Sequence, residues 1–113
     1  YKLIRRYDYH NGPVPANIDD CISKAFIMEN GYMDTTKARE YLFDLWLDPM
    51  ERENLAGNPK YKNVYQDLSV KLEKWMLETD DPLINHGARV PKPKDAKVVR
   101  LETLSPRSAE YEI

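Results

Sequence analysis

The sequence predicts an α+β fold, in which a small antiparallel sheet is covered by one long C-terminal helix. Residues 1–7 are rich in aromatic and aliphatic side chains, which is typical of a strand. Residues 40–47 alternate in character from one position to the next, which predicts a second strand. Residues 59–78 place their apolar side chains in one stripe at helical spacing, which predicts the helix.

The second strand is expected to be buried mainly on one of its two faces. It must end at Asp48-Pro49, because proline has no N–H to donate to a ladder. The face expected to be buried carries Tyr41, Phe43, Leu45 and Leu47.

A short helix is expected directly after this strand. Asp48 fits an N-cap, Pro49 fits the first helical position, and Glu51 completes a capping box three residues after the cap. This helix would run for one or two turns through Leu55 and end at Gly57.

The long helix is expected to begin in the same way, with a capping residue followed by proline. Asn58 is the expected cap, Pro59 takes the first helical position, and the sequence from Thr79 to Pro82 breaks the helix. The side chains expected to face inward are Tyr61, Val64, Tyr65, Leu68, Leu72, Trp75 and Met76.

The remaining segments are a short helix and a tail. A helix is expected over about residues 20–29, capped by Asp19 or Asp20 and stopped by Asn30-Gly31. The domain organisation is therefore one subdomain over residues 1–82 and an extended, proline-containing tail over 83–113, with a short strand near 97–101. Because two strands and one helix do not close a sheet, we expect this fold to be incomplete on its own.

Composition excludes several classes of function. The net charge of −2 and the interspersed signs give no basic patch, so a nucleic-acid partner is not expected. No stretch approaches the ~18 consecutive apolar residues of a membrane span. With one cysteine, Cys21, the chain has no internal disulfide.

Catalytic chemistry is hard to assemble from this chain. Its two histidines, His10 and His86, lie in polar loop contexts and lack the spacing of a zinc motif. Cys21 follows two acids, which raise the pKa of a thiol rather than lower it. The acid pairs at 19–20 and 80–81 flank helix ends, where capping explains them. No catalytic, cofactor or metal residue is therefore predicted in this chain. Tyr7, Tyr9 and His10 are the candidates for contact with a ligand at the border of a pocket.

Several spaced motifs resemble a known family. One ordered series consists of Leu42-Phe43-Asp44-Leu45, Asp48-Pro49, Glu51 and Asn54-Leu55-Ala56. This series resembles the E-L-Y-D-L-x-x-D-P-x-E-x-x-N-L-A signature of formylglycine-dependent sulfatases, with Phe43 in place of the usual tyrosine and Glu40 one position early. Further motifs are similar to the heparan N-sulfatase (N-sulfoglucosamine sulfohydrolase) branch: Leu72, Lys74-Trp75, Glu78-Thr79, Asp81-Pro82 and Leu104-Ser105-Pro106.

The resemblance implies an alkaline-phosphatase-like enzyme of which this chain is the C-terminal subdomain. Such an enzyme holds calcium and a formylglycine, made from cysteine, in an N-terminal catalytic domain, and this subdomain docks there and borders the substrate pocket. The implied reaction is hydrolysis of a sulfate ester or sulfamate on a sulfated glycan, by a protein that is exported to the periplasm, the exterior or the lysosome. The family's C-x-P-S-R or C-x-A-S-R motif does not occur here, since Cys21 is followed by Ile22-Ser23-Lys24. The chain alone is therefore expected to be inactive.

Two other functions stay open at this point. The chain could be a free-standing module that binds a glycan or a protein through Tyr7, Tyr9, His10 and the proline-rich tail. It could also be a structural adaptor without a ligand.

Overall fold

The computed structural model describes residues 1–8, 10–86, 93–108 and 111–112. They form two units, one made of residues 1–8 and 38–86 and the other of residues 10–37, 93–108 and 111–112. The helices and strands, in chain order, are β1 (Lys2–Arg5), α1 (Ile22–Glu29), β2 (Glu40–Phe43), α2 (Lys62–Glu78), α3 (Pro82–His86), β3 (Val98–Val99) and β4 (Tyr111–Glu112). None of the helices in these ranges combines the length and apolar character that crossing a bilayer requires.

In the first unit, β1 and β2 form an antiparallel pair that α2 covers. Leu3 lies opposite Leu42, and Arg5 lies opposite Glu40. Glu40 accepts a hydrogen bond from Tyr65 of α2, so the face that carries Glu40 is turned toward the helix. By the period-two alternation of a strand, Leu42 shares that face, and it is fully buried. A small antiparallel sheet under a long helix is the α+β arrangement that the sequence predicts.

The start and course of α2 are confirmed. The Asn58 side chain accepts from the Lys60 amide, Pro59 opens a turn of 3-10 helix, and α2 follows. Met76 is buried, and most of the predicted stripe is at least half-buried. Trp75 is the exception, because 56% of its surface stays exposed.

The second strand is shorter than predicted, and its expected buried face is confirmed only within the strand itself, where Phe43 is buried and Tyr41 is half-buried. β2 ends at Phe43, since the Asp44 carboxylate accepts hydrogen bonds from the amides of Trp46 and Leu47 and turns the chain. Beyond that turn the alternation no longer applies, and Leu45 and Leu47 are exposed.

The short helix predicted after Pro49 does not form. The Asp48 carboxylate accepts from the amide of Glu53 rather than from that of Glu51, so the capping box is absent. Glu51 adopts a left-handed backbone conformation with φ 53°, and its side chain pairs with Lys2 at 2.9 Å. A helix cannot continue through such a residue.

The Asn54 side chain joins this segment to the sheet through two hydrogen bonds. Its side-chain oxygen accepts from the Leu42 amide at 3.0 Å, and its side-chain nitrogen donates to the Glu40 carbonyl at 2.9 Å. The Leu55 amide donates to the Leu42 carbonyl, and the Leu55 side chain is buried. The segment therefore provides hydrogen-bond partners for the backbone groups on the free edge of β2 without forming a strand.

In the second unit, α1 has nearly the predicted bounds but a different cap. Cys21, not Asp19 or Asp20, is the N-cap, and its sulfur accepts from the Lys24 amide at 3.4 Å. Asp20 instead binds the Lys24 ammonium at 2.9 Å. The predicted stop is confirmed, with Asn30 as C-cap and Gly31 at φ 85°, a conformation that glycine adopts without steric cost.

The Lys24 ammonium links α1 to the chain beyond residue 100. This side chain is buried and donates to the Ile18 carbonyl, the Asp20 carboxylate and the Leu104 carbonyl. Hydrogen bonds from Ser105 and Lys24 hold the pKa of Asp20 below its ordinary value. The described part of the tail also contains β3, which pairs with β4. The division at residue 82 stays a prediction about the domains of the protein.

Candidate functional site

Tyr7, one of the three predicted pocket residues, lies beside a groove on the first unit. The groove has a volume of about 430 Å³ between β1, α2 and α3. It is lined by Arg5, Tyr7, Glu73, Met76, Leu77, Leu83 and Ile84. The Tyr7 hydroxyl donates to the Met76 sulfur at 3.0 Å, so the ring is held against the helix. Tyr7 is therefore both a packing residue and part of the groove wall.

A polar network adjoins the groove through Arg5 and Glu73, which are two of the lining residues. The Arg5 guanidinium donates to Glu40 at 2.7 Å, to Glu73 at 3.0 Å and to the Ser69 hydroxyl at 3.0 Å. Tyr65 donates to the second oxygen of Glu40 at 2.6 Å. One guanidinium thus joins β1, β2 and two turns of α2.

The network sets the protonation state of its members. Partial burial raises the pKa of Glu40, but hydrogen bonds from Tyr65 and Arg5, together with the Arg5 charge, outweigh burial and hold that pKa below its ordinary value. Burial lowers the pKa of Arg5, and its bonds to Glu40, Tyr65 and Glu73 raise it above the ordinary value. Both groups are therefore charged at neutral pH, and the network provides structure rather than a proton donor.

The other two predicted pocket residues are not brought to this groove by anything the structure describes. His10 belongs to the second unit, where its Nε2 lies 3.2 Å from the Pro13 carbonyl oxygen. Tyr9 lies outside the described residues. Neither residue's role at a pocket has been tested, and both stay predictions.

A second candidate surface was not expected from the sequence. The loop 44–50, which follows β2, exposes 90% of Trp46, 77% of Leu47 and 71% of Met50. The Asp44 carboxylate holds the amides of Trp46 and Leu47, and the Asp48 amide donates to the Asp44 carbonyl at 2.7 Å. This is a well-defined loop that presents large apolar side chains to solvent, which is typical of a contact surface.

The described residues do not fit a resident calcium ion or a formylglycine. Within them, no group of three or more His, Cys, Asp or Glu side chains is arranged to hold a metal ion. Cys21 caps α1 with its sulfur and lacks the surrounding motif of a formylglycine precursor.

Comparison with known proteins gives a consistent set of relatives. An ulvan-active sulfatase of Formosa agariphila is 36% identical over 70 residues, which cover 60% of this chain and 14% of that protein. The N-sulphoglucosamine sulphohydrolase of Homo sapiens is 40% identical over 48 residues, covering 42% of this chain and 10% of the enzyme. The chain is related to the sulfatases.

A further relative of this sulfatase-related chain widens the group. The multifunctional alkaline phosphatase superfamily protein PehA of Trinickia caryophylli is 32% identical over 87 residues, covering 76% of the chain and 17% of that protein. The resemblance to the alkaline phosphatase superfamily, and to the N-sulfoglucosamine sulfohydrolase branch within it, is confirmed. No family model and no solved structure gives a significant match. The matched stretches cover less than a fifth of the length of each of these three relatives.

Two features of the site escaped the sequence analysis, and only one left a signal. The Arg5 network joins residues up to 68 positions apart, and no local pattern indicates such pairing. Asp44 could have predicted the turn that begins the exposed loop. Aspartate side chains in turns commonly accept hydrogen bonds from the backbone amides two or three residues further along the chain. The strand-like alternation around it concealed that signal.

Proposed function

We propose that this chain is the C-terminal accessory subdomain of a sulfatase that removes sulfate, as an ester or a sulfamate, from a sulfated glycan. In this proposal the N-terminal catalytic domain of the same protein supplies the calcium ion and the formylglycine. The chain docks on that domain and borders its substrate pocket, and the whole protein is exported. The observation that carries the proposal is the ordered motif series over residues 40–82, together with relatives named as sulfatases.

The geometry of the first unit favours a structural and pocket-bordering role over a catalytic one. The Arg5 network fixes the sheet against α2, and the groove beside Tyr7 opens at the surface of that unit. Apolar walls with a few fixed polar groups are typical of ligand pockets. We therefore assign Tyr7 to the pocket border, with Tyr9 and His10 as the neighbouring candidates in the sequence.

The test begins with the full-length gene product. Its sequence should contain a C-x-P-S-R or C-x-A-S-R motif upstream of Tyr1, and the protein should hydrolyse an aryl sulfate or a sulfated oligosaccharide. A phosphate ester with the same leaving group is the matched comparison, because one relative is named for the alkaline phosphatase superfamily. A protein that lacks the motif, or that hydrolyses the phosphate ester alone, would refute the assignment.

The role of Tyr7 is tested separately. Tyr7→Phe removes the bond to the Met76 sulfur but keeps the ring in the groove wall, whereas Tyr7→Ala opens the groove. If Tyr7 borders the pocket, Tyr7→Ala raises KM for the glycan and leaves hydrolysis of a small aryl sulfate unchanged, since the small ester does not reach the border. Equal loss on both substrates would show that Tyr7 acts through folding alone.

A further inference from the structure

The loop 44–50 carries the most exposed large apolar side chains of the first unit, on a backbone that is already ordered. Trp46 is 90% exposed, although the Asp44 carboxylate fixes its amide at 3.1 Å and that of Leu47 at 3.2 Å. On the far side of the loop, Glu51 is tied to Lys2. Because the backbone is held before any partner binds, little conformational entropy is lost on contact.

The chemistry of the loop indicates what covers it. Tryptophan is among the residues that most often carry the binding energy of protein interfaces, and it does so in a desolvated pocket with a polar rim. The segment around these side chains is acidic, since residues 44–53 contain four acidic residues and one basic residue, and Lys2 neutralises one of the four acids, Glu51. An acidic segment disfavours the anionic surface of a membrane and favours a protein surface whose apolar socket is lined by basic side chains.

The relatives indicate where such a surface is to be found. The stretches that match this chain make up 14% and 17% of two of them, so those proteins contain a much larger body than the part that this chain represents. We propose that Trp46 and Leu47 anchor this chain by binding in an apolar pocket on the catalytic domain of its own protein, and that basic side chains surround this pocket. This inference rests on the proposed function and names the docking surface within it.

The experiment is oxidative footprinting of the native full-length protein, followed by mass spectrometry of the peptides that contain Trp46 and Met50. If the loop is docked, both side chains are oxidised roughly tenfold more slowly than in the same protein unfolded in denaturant, because a docked anchor is desolvated. The protection should be independent of protein concentration. Oxidation at the unfolded rate would overturn the proposal, and protection that disappears on dilution would overturn it in favour of a second copy of the chain.

Substitutions in the full-length protein provide the second readout. Trp46→Ser should release the C-terminal part to limited proteolysis and expose Met50, whereas Trp46→Phe should keep the protection. The matched control is Ile22→Ser, because Ile22 is also 90% exposed but lies in the other unit. A Trp46→Ser protein that keeps Met50 protected and resists proteolysis like the wild type would contradict the anchoring role.

Footprinting also separates this inference from the proposed function, because it does not depend on activity. A protein that hydrolyses sulfate esters while Trp46 is oxidised at the unfolded rate contradicts only the docking surface. A protein that protects Trp46 but has neither the upstream motif nor sulfatase activity contradicts only the sulfatase assignment.

Discussion

The bond between Arg5 and Glu40 gives the sharpest stability prediction for this chain. Glu40→Gln keeps the shape of the side chain but removes its charge. The two bonds that Glu40 accepts, from Arg5 at 2.7 Å and from Tyr65 at 2.6 Å, then compete for one remaining acceptor. The Arg5 side chain is 18% exposed and that of Glu40 is 30% exposed, so water replaces the lost bond only in part.

The magnitude follows from these bonds. Hydrogen bonds to charged groups contribute roughly 1.5–3 kcal/mol each, so Glu40→Gln should cost about 2 kcal/mol. Glu73→Gln is the matched control, because it touches the same guanidinium from a side chain that is 56% exposed. A pair so open to solvent is screened by water and salt, and its loss should cost only about 0–1 kcal/mol.

Amide hydrogen exchange is the suitable assay, because it reports the opening of this sheet in the chain alone and in the full-length protein alike. Exchange of the β1 and β2 peptides should become roughly thirtyfold faster in Glu40→Gln and change far less in Glu73→Gln. Tryptophan fluorescence is less suitable, since Trp46 and Trp75 are both exposed. Equal acceleration in the two variants, or none in Glu40→Gln, would refute the conclusion that the partly buried bonds of Glu40 stabilise the sheet.

Acid should act in the same direction as the substitution. The folded-state pKa of Glu40 lies below its ordinary value, so its contribution to stability is complete above the ordinary pKa and is lost as the pH falls through the folded pKa. The difference in exchange between wild type and Glu40→Gln should therefore shrink as the pH drops below the ordinary pKa of a glutamate. A difference that stays constant across that range would contradict the sign of the shift.

The other predictions concern single contacts. Leu42→Ala removes a fully buried side chain and should cost about 3 kcal/mol, measured by exchange in β2. Asn54→Ala leaves the Leu42 amide and the Glu40 carbonyl without this partner and should cost about 2 kcal/mol by the same measurement, whereas a cost near zero would show that water replaces it. Lys24→Ala deprives the Ile18 and Leu104 carbonyls of a shared donor, costs about 2 kcal/mol, and should be detected as faster proteolysis near residue 104. Unchanged cleavage there would mean that Lys24 does not hold the tail.

Elements that depend on residues close together in the chain could be predicted from the sequence. The α2 helix follows from a cap, a proline at the first helical position and a stripe at helical spacing, and all of these depend on neighbours within one turn. The stop at Asn30-Gly31 is local for the same reason. The relationship to sulfatases could also be recognised from sequence, because the motifs occur in order along one chain.

The burial of the side chains around β2 depends instead on contacts between distant parts of the chain. The alternation over residues 40–47 predicted a strand that ends at Asp48-Pro49, but the Asp44 carboxylate accepts hydrogen bonds from the amides of Trp46 and Leu47 and turns the chain earlier. That turn exposed Trp46, the residue on which the proposed docking surface depends. The Arg5 network likewise joins residues from β1, β2 and α2. The hydrogen bonds of this network are strengthened because their partners are partly shielded from solvent. That shielding depends on tertiary packing, so no local pattern in the chain predicts it.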